Sequence, residues 1–396
     1  MNTKEIIEQT DKYYLPVFGR NQIALDHGKG CKLYDAEGRE YTDFLAGIAV
    51  NGLGHAHPAI VKAISEQAGK IIHSSNLYYT EIQAKAIKVI SEVTGFDRVF
   101  LCNSGAEANE GALKLSRKYG VAKDINKFRI ISAVHSFHGR TMATLTATGQ
   151  DHYHEGLNPL PIGYEYVPYG DIAALEEIMD ENVCGILLEP IQGEGGVNVP
   201  SNEYLLRARA LCDKYDALLI FDEIQSGICR TGQWFAWEYS GARPDVMTMA
   251  KAMGGGFPMG AFVTTERLAH VFAPGDHGST FGGNPLSCAA AYASLTTMRE
   301  MKLEQVAAKT GAYFKMQLEA LQKQFPDKIL EVRGRGLILG MELSKPGAPV
   351  VKGCLERGMI INCTASTVLR FVPPLIISEK EIDELMLVLK EVLEEF

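Results

Sequence analysis

The segment Met249-Ala-Lys251-Ala-Met-Gly254-Gly255-Gly256-Phe-Pro258-Met-Gly260 sets one lysine between an apolar run and a cluster of glycines. Desolvation or a neighbouring cation lowers the pKa of a lysine in such a place and makes its amine a nucleophile for a carbonyl. The glycines permit unusual backbone angles and close approach of a ligand. Taken alone, such a lysine is more often structural than catalytic. A second segment, Leu219-Ile-Phe-Asp222-Glu223-Ile-Gln225, places two acids directly after the four apolar residues Leu218 to Phe221. A carboxylate there is costly unless a cation or hydrogen-bond donors meet it. A protonated heterocyclic nitrogen would do so, and Asp222 is the better placed of the pair. A helix N-cap or a metal ligand would also account for it, the latter weakened by the lack of nearby His or Cys. A third segment, Asn103-Ser104-Gly105-Ala106-Glu107-Ala108-Asn109, turns from an apolar strand into a helix. Free amides at a helix start suit a phosphate, although a plain capped turn would look the same.

These segments need a scaffold, and the periodicity supplies one. Short apolar runs at Val99–Cys102, Arg129–Val134, Gly185–Leu188, Ala217–Phe221, Val246–Met249 and Ala261–Thr264 read as buried strands. Helical patterns such as Ala106–Lys118 and Asn202–Lys214 lie between them. The alternation predicts an α/β fold with a largely parallel sheet covered on both faces. Ligands of open α/β sheets bind outside the carboxyl ends of the strands, where all three chemical segments fall. Past residue 290 the pattern changes. Leu303–Phe325 reads as a long amphipathic helix, Gly336–Leu343 and Leu369–Pro373 as strands, and Ser378 to Glu381 as a capping box. The expectation is a large domain over 60–290 and a smaller α+β domain built from 1–59 and 291–396.

Composition narrows the function classes. The 396 residues carry a net charge of −9, with 46% hydrophobic and 22% charged residues. An acidic surface disfavours nucleic acid and anionic membranes as partners, so an anionic substrate must be caught by local arginines. Eight scattered cysteines without a C-x-x-C pair suit free thiols in a reducing cytosol. The N-terminus lacks a signal-peptide pattern and no stretch has the roughly 20 apolar residues of a membrane span, so a cytoplasmic protein is expected.

The combination of a phosphate-binding helix start, an acid for a ring nitrogen and an amine for an aldehyde fits pyridoxal 5′-phosphate (PLP). The order and flanks of these parts resemble the class III (subgroup II) aminotransferases of PLP fold type I. The resemblance runs from Gly47-Ile-Ala-Val-Asn51 and Gly54-His-Ala-His-Pro58 to Leu369-Arg370-Phe-Val-Pro-Pro374. Its most specific stretches are F-D-E-I-Q-S-G-I-C-R-T-G, from Phe221, and A-K-A-M-G-G-G-F-P-M-G, from Ala250.

The resemblance implies that Lys251 forms the Schiff base with PLP and then shuttles the proton, while Asp222 pairs with the pyridinium nitrogen. It implies that Gln225 reaches the ring hydroxyl, that Phe137 stacks on the ring, and that Ser104, Gly105 and Ala106 hold the phosphate. Glu223 and Ile224 fall in the same cofactor-binding segment. Related sequences often carry Thr at the Ala106 position, so backbone alone would serve there. Thr280 would reach the phosphate of the neighbouring subunit, which implies a homodimer with shared active sites. For substrates, Arg140 with Ser279 would hold the carboxylate of an ornithine-like donor. Arg370 would take the carboxylate of glutamate or 2-oxoglutarate, with Glu194 as its gate. Within the family, Ile48 to Asn51 and the compact length point to transfer of the δ-amino group of N2-acetylornithine to 2-oxoglutarate, in arginine biosynthesis. Ornithine, succinylornithine, succinyl-diaminopimelate and 4-aminobutyrate are the neighbouring donors. A PLP aminomutase is a further alternative, disfavoured by Arg370. No metal site is expected.

Overall fold

The computed structural model describes residues 1–396. Its centre is a seven-stranded sheet of β1 (Arg98–Cys102), β2 (Arg129–Ala133), β3 (Tyr164–Val167), β4 (Val183–Leu188), β5 (Leu218–Asp222), β6 (Val246–Met249) and β7 (Gly260–Thr264). They lie side by side as β1-β7-β6-β5-β4-β2-β3. Only β7 runs against its neighbours. Every residue of β4, β5 and β6 is buried, as a strand covered by helices on both faces requires.

The helices start and stop where side chains tell them to. Ser104 caps Gly105–Val121 by accepting from the Glu107 amide, and Ser201 caps Asn202–Tyr215 by accepting from the Tyr204 amide. Asp216 ends the second helix in the left-handed region, at φ 51°. At the C-terminus the expected capping box is formed between Ser378 and Glu381. It opens Glu379–Glu395, which buries Ile382, Leu385, Leu389 and Leu393 on one stripe.

Two smaller sheets flank the centre. Leu25–Lys29, Lys32–Asp35 and Glu40–Asp43 form an antiparallel meander, and the last pairs in parallel with Met359–Ile360. The two chain ends therefore share one sheet. The other flank comprises Ile329–Arg335, Ile338–Leu343, Val368–Phe371 and Asn362–Thr364. The expected strand Gly336–Leu343 is thus half of a hairpin. Its partner, Ile329–Arg335, carries half-exposed charges (Glu331, Arg333) that hide a strand period. Gly336 makes the turn at φ 54°, where a Cβ would lie 2.4 Å from the Thr231 carbonyl carbon.

A single apolar cluster runs from Phe44 and Ile60, through Met247 and Leu295, to Phe371 and Leu393. It cements the flanking sheets to the central one. All eight cysteines are free, and no helix is long and apolar enough to cross a membrane.

Candidate active site

A cavity of about 400 Å³ opens at the carboxyl ends of the central strands. Five of the six parallel strand ends contribute to it: Asn103 to Ala106 after β1, Phe137 to Arg140 after β2, Glu189 after β4, Asp222 at the end of β5, and Lys251 after β6. From the flanking region, Val50 reaches the wall behind the left-handed turn Gly47-Ile48-Ala49.

Lys251 begins a short 3-10 turn with its own φ at 44°, a left-handed setting that a non-glycine residue holds only under constraint from its surroundings. Its amine pairs with no protein carboxylate. Burial pushes its pKa below the ordinary lysine value, and Arg370 adds to this, while Glu194, Asp222 and Glu189 pull the other way. The result is an amine with a larger neutral, nucleophilic fraction than an exposed lysine.

Asp222 is almost fully buried and its carboxylate is densely supplied with donors. Oδ2 accepts from His138 Nδ1 and from Asn109 Nδ2, both at 2.8 Å, and Oδ1 accepts from the Ile224 amide at 3.1 Å. These contacts fix the carboxylate at the cavity wall, where it is placed to meet a cationic ring nitrogen. Neither His138 nor Asn109 was singled out in the sequence, although both sit inside motifs that were.

Glu223 corrects an expectation. It points away from the cavity, where its carboxyl accepts from Ser226 Oγ at 2.5 Å and the Trp237 amide at 2.8 Å. Burial raises its pKa to about 7. Successive strand residues face opposite sides, so Asp222 and Glu223 could not both reach one ligand. Ile224 does line the cavity, and packs so tightly on Gly105 that a Cβ there would lie 2.8 Å from it.

At the phosphate end, the Ser104 hydroxyl is engaged as the helix cap. The Gly105 and Ala106 amides, the first two of the helix, are left facing the cavity without a protein acceptor. That is the donor set an anion needs. Ala106 contributes only backbone. Phe137 walls the cavity with its ring edge-on to Tyr153, centroids 5.9 Å apart. The exposed Arg140 stacks over Tyr153 at 3.8 Å and pairs with no carboxylate. Tyr153 lies in a short turn with no sequence pattern to announce it.

Arg370 is fully buried behind this wall. Its Nη1 donates to Glu194 Oε1 at 2.6 Å and to Gln225 Oε1 at 3.0 Å, and Gln225 Nε2 donates to the same Glu194 oxygen at 3.0 Å. Burial alone would raise the Glu194 pKa, but the Arg370 and Lys251 charges outweigh it and hold it below the ordinary value. Gln225 therefore spends its amide on the Glu194–Arg370 pair rather than leaving it free for a ring hydroxyl. Gly193 allows this, since a Cβ would collide with Gln225 Oε1 at 2.1 Å.

The structure does not bring Ser279 and Thr280 to this cavity. Ser279 Oγ accepts from Asn103 Nδ2 at 3.1 Å, one residue behind the wall, and has no contact with Arg140. Thr280 lies exposed in a separate cleft with Asn76, Tyr78 and Gln83. Tyr79 is fully exposed, and His55 and His57 serve as a partner to Asp43 and a helix cap.

The fold and the cavity define an enzyme that holds an anionic cofactor over a reactive lysine. The profile of the class-III aminotransferases matches residues 16–393, and the chain belongs to that family. An acetylornithine aminotransferase from Methanocaldococcus jannaschii is 49% identical over 100% of this chain and 99% of its own. One from Caldanaerobacter subterraneus subsp. tengcongensis is 50% identical over 98% and 99%. Among solved structures, an ornithine aminotransferase from Toxoplasma gondii superposes with a TM-score of 0.92 at 34% identity. It covers 98% of this chain and 94% of that one, and has PLP at partial occupancy in its active site. The protein is a PLP-dependent aminotransferase.

Proposed function

We propose that this chain moves the δ-amino group of N2-acetylornithine to 2-oxoglutarate, giving N-acetylglutamate 5-semialdehyde and glutamate, in the cytoplasm and in the service of arginine biosynthesis. The observation that carries the reading is the contrast between two arginines. Arg140 stands unpaired at the cavity, whereas Arg370 is buried and already occupied by Glu194. Two carboxylate-bearing substrates that bind in turn call for one standing receptor and one that is switched. The full-length relatives named above supply the acylated donor.

When bound, PLP supplies an aldehyde for the amine and a protonated ring that takes up electrons as the substrate C–H bond breaks. The chain's own residues do the rest. Lys251 provides the amine that holds the cofactor and then the base at the substrate carbon. Asp222, fixed by His138 and Asn109, stabilises the ring's N–H, and Phe137 keeps the ring plane in place. The Gly105 and Ala106 amides anchor the phosphate. Arg140 orients the donor's carboxylate, and Glu194 neutralises Arg370 until the oxoacid arrives. Gln225 steadies that pair. The enzyme acts as a homodimer in which Thr280 of each subunit completes the phosphate end of the other's cavity. The exposed Leu77, Tyr78 and Phe281 beside it offer the apolar surface for that contact.

Substrate choice is tested by mixing the PLP-loaded protein with single amines under single-turnover conditions. N-acetylornithine should discharge the cofactor much faster than ornithine or 4-aminobutyrate. Equal rates with ornithine would sink the acyl-specific assignment. A second expectation concerns the ring nitrogen. Asp222→Asn keeps the shape but removes the charge and turns an NH2 toward N–H donors. A hydrogen bond to a charged group contributes about 1.5–3 kcal/mol, so the donor half-reaction should slow about 10- to 150-fold. An unaltered single-turnover rate would argue that another residue holds the ring.

A further inference from the structure

Glu189 follows β4 directly, one step past the Leu188–Phe221 pair and so level with Asp222 on β5, and is 5% exposed. Its Oε2 accepts from the Phe137 amide at 3.1 Å and its Oε1 from the Gly193 amide at 3.3 Å. The first donor belongs to the turn that carries the ring platform. The second opens the segment that carries Glu194, the partner of Arg370. No lysine or arginine pairs with the Glu189 carboxyl.

The two loops meet twice more. Gln192 Nε2 donates to the Val134 carbonyl at 2.8 Å, and Gly195 lies so close to His135 that a Cβ would stand 2.4 Å from its carbonyl oxygen. Of these three joints, only Glu189 also lines the cofactor cavity. We propose that Glu189 is a positioning residue that couples the cofactor wall at Phe137 to the Glu194–Arg370 switch. Seating Phe137 against bound cofactor then fixes, through one carboxyl group, the segment that offers Glu194 to Arg370. The inference rests on the assignment of Glu194 as the gate.

The electrostatics agree with this geometry. Burial pushes the Glu189 carboxyl well above the ordinary carboxylate range, the Asp222 charge adds to it, and Glu194 contributes in the same direction. Lys251 is close enough for the Glu189 charge to act on its amine, and Arg370 acts on the same amine. The Phe137 and Gly193 amides pull Glu189 the other way, so the two contacts that join the loops are also the ones that stabilise charge on this carboxyl. Glu189→Gln preserves length and one acceptor but turns an NH2 toward the other amide, whereas Glu189→Ala severs both loops.

Hydrogen–deuterium exchange of the full-length protein, with and without PLP, tests the coupling apart from turnover. In the parent, PLP should slow exchange in both 134–138 and 189–195, and in E189Q, which keeps one of the two amide contacts, the slowing of 189–195 should be partial. In E189A the slowing should be confined to 134–138. The kinetics should separate in the same way. E189A should raise the KM for 2-oxoglutarate about fivefold more than the KM for the amine donor, with E189Q lying between E189A and the parent; fivefold is the scale of one net hydrogen bond. Equal protection of both segments in E189A, or two KM values that rise together, would overturn the proposal. A parent whose 134–138 segment ignores PLP would overturn the cofactor placement itself, and the coupling with it. A shift in the gate would show differently: Glu194→Ala leaving the 2-oxoglutarate KM unchanged would remove the switch while leaving the exchange coupling intact.

Discussion

Replacing Lys251 with alanine is expected to leave a folded protein with almost no turnover. Loss of a positioned general base alone costs on the order of 10²- to 10⁴-fold, and the same substitution removes the amine that holds the cofactor. Borohydride reduction of the parent should add the mass of PLP to the peptide containing Lys251, and that of the variant to none. Trapping on a different lysine, or turnover at the parental rate, would displace Lys251 from its role. The stability of the cofactor-free protein should move the opposite way. Burial lowers the Lys251 pKa in the folded chain relative to the unfolded one. As pH falls below the unfolded value of roughly 10.4, the unfolded chain takes up the proton first, which destabilises the fold. The penalty grows until the folded pKa is passed and is complete below it. Lys251→Ala abolishes it, so the variant's gain in Tm should be largest at the acid end of that window and vanish towards its alkaline end. A gain independent of pH would assign the effect to packing, not to the charge.

The legible parts of this site are those where local pattern and chemistry coincide. Asp222, Lys251 and Gly105 each end an apolar strand with a residue type that a strand end does not need. A parallel sheet gathers all such ends on one edge. Glu189 carries the same signature after Gly185–Leu188 and could have been found by applying the rule consistently. Glu223 shows its limit, because the rule does not say which of two adjacent acids faces the ligand; the two-residue side-chain period decides that. Tyr153 was not legible, since its place under Arg140 depends on a turn with no period of its own. The strand Ile329–Arg335 was hidden for a related reason. Its charged residues lie on a half-exposed flank, where burial imposes no clean alternation. The use of Gln225 could not be read either, because its partners Glu194 and Arg370 come from distant parts of the chain and meet only in the folded molecule.

Arg370→Ala should divide the two halves of the reaction. The guanidinium is fully buried and holds Glu194 and Gln225 through one nitrogen. Truncating one partner of a buried, hydrogen-bonded charge pair costs about 2–5 kcal/mol, or roughly 30- to 5000-fold in a rate that depends on it. If Arg370 receives the oxoacid's carboxylate, that loss falls on kcat/KM for 2-oxoglutarate. The amine half-reaction, which uses Arg140, should change by only a few fold. Arg370→Lys should not rescue the oxoacid step. Lysine restores the charge but offers a single point donor where a planar fork must release Glu194 and then grip a carboxylate with two parallel bonds. Stopped-flow measurement of each half-reaction separately decides the matter. Equal losses in both halves would mean that Arg370 only holds the wall in shape. A lysine variant with parental oxoacid kinetics would mean that charge is sufficient and the fork is not used. The Glu194 pair gives the same experiment an internal control. Removing Glu194 should leave Arg370 permanently open, so the KM for the oxoacid should fall while the amine donor, now exposed to a second free arginine, is misdirected and slowed.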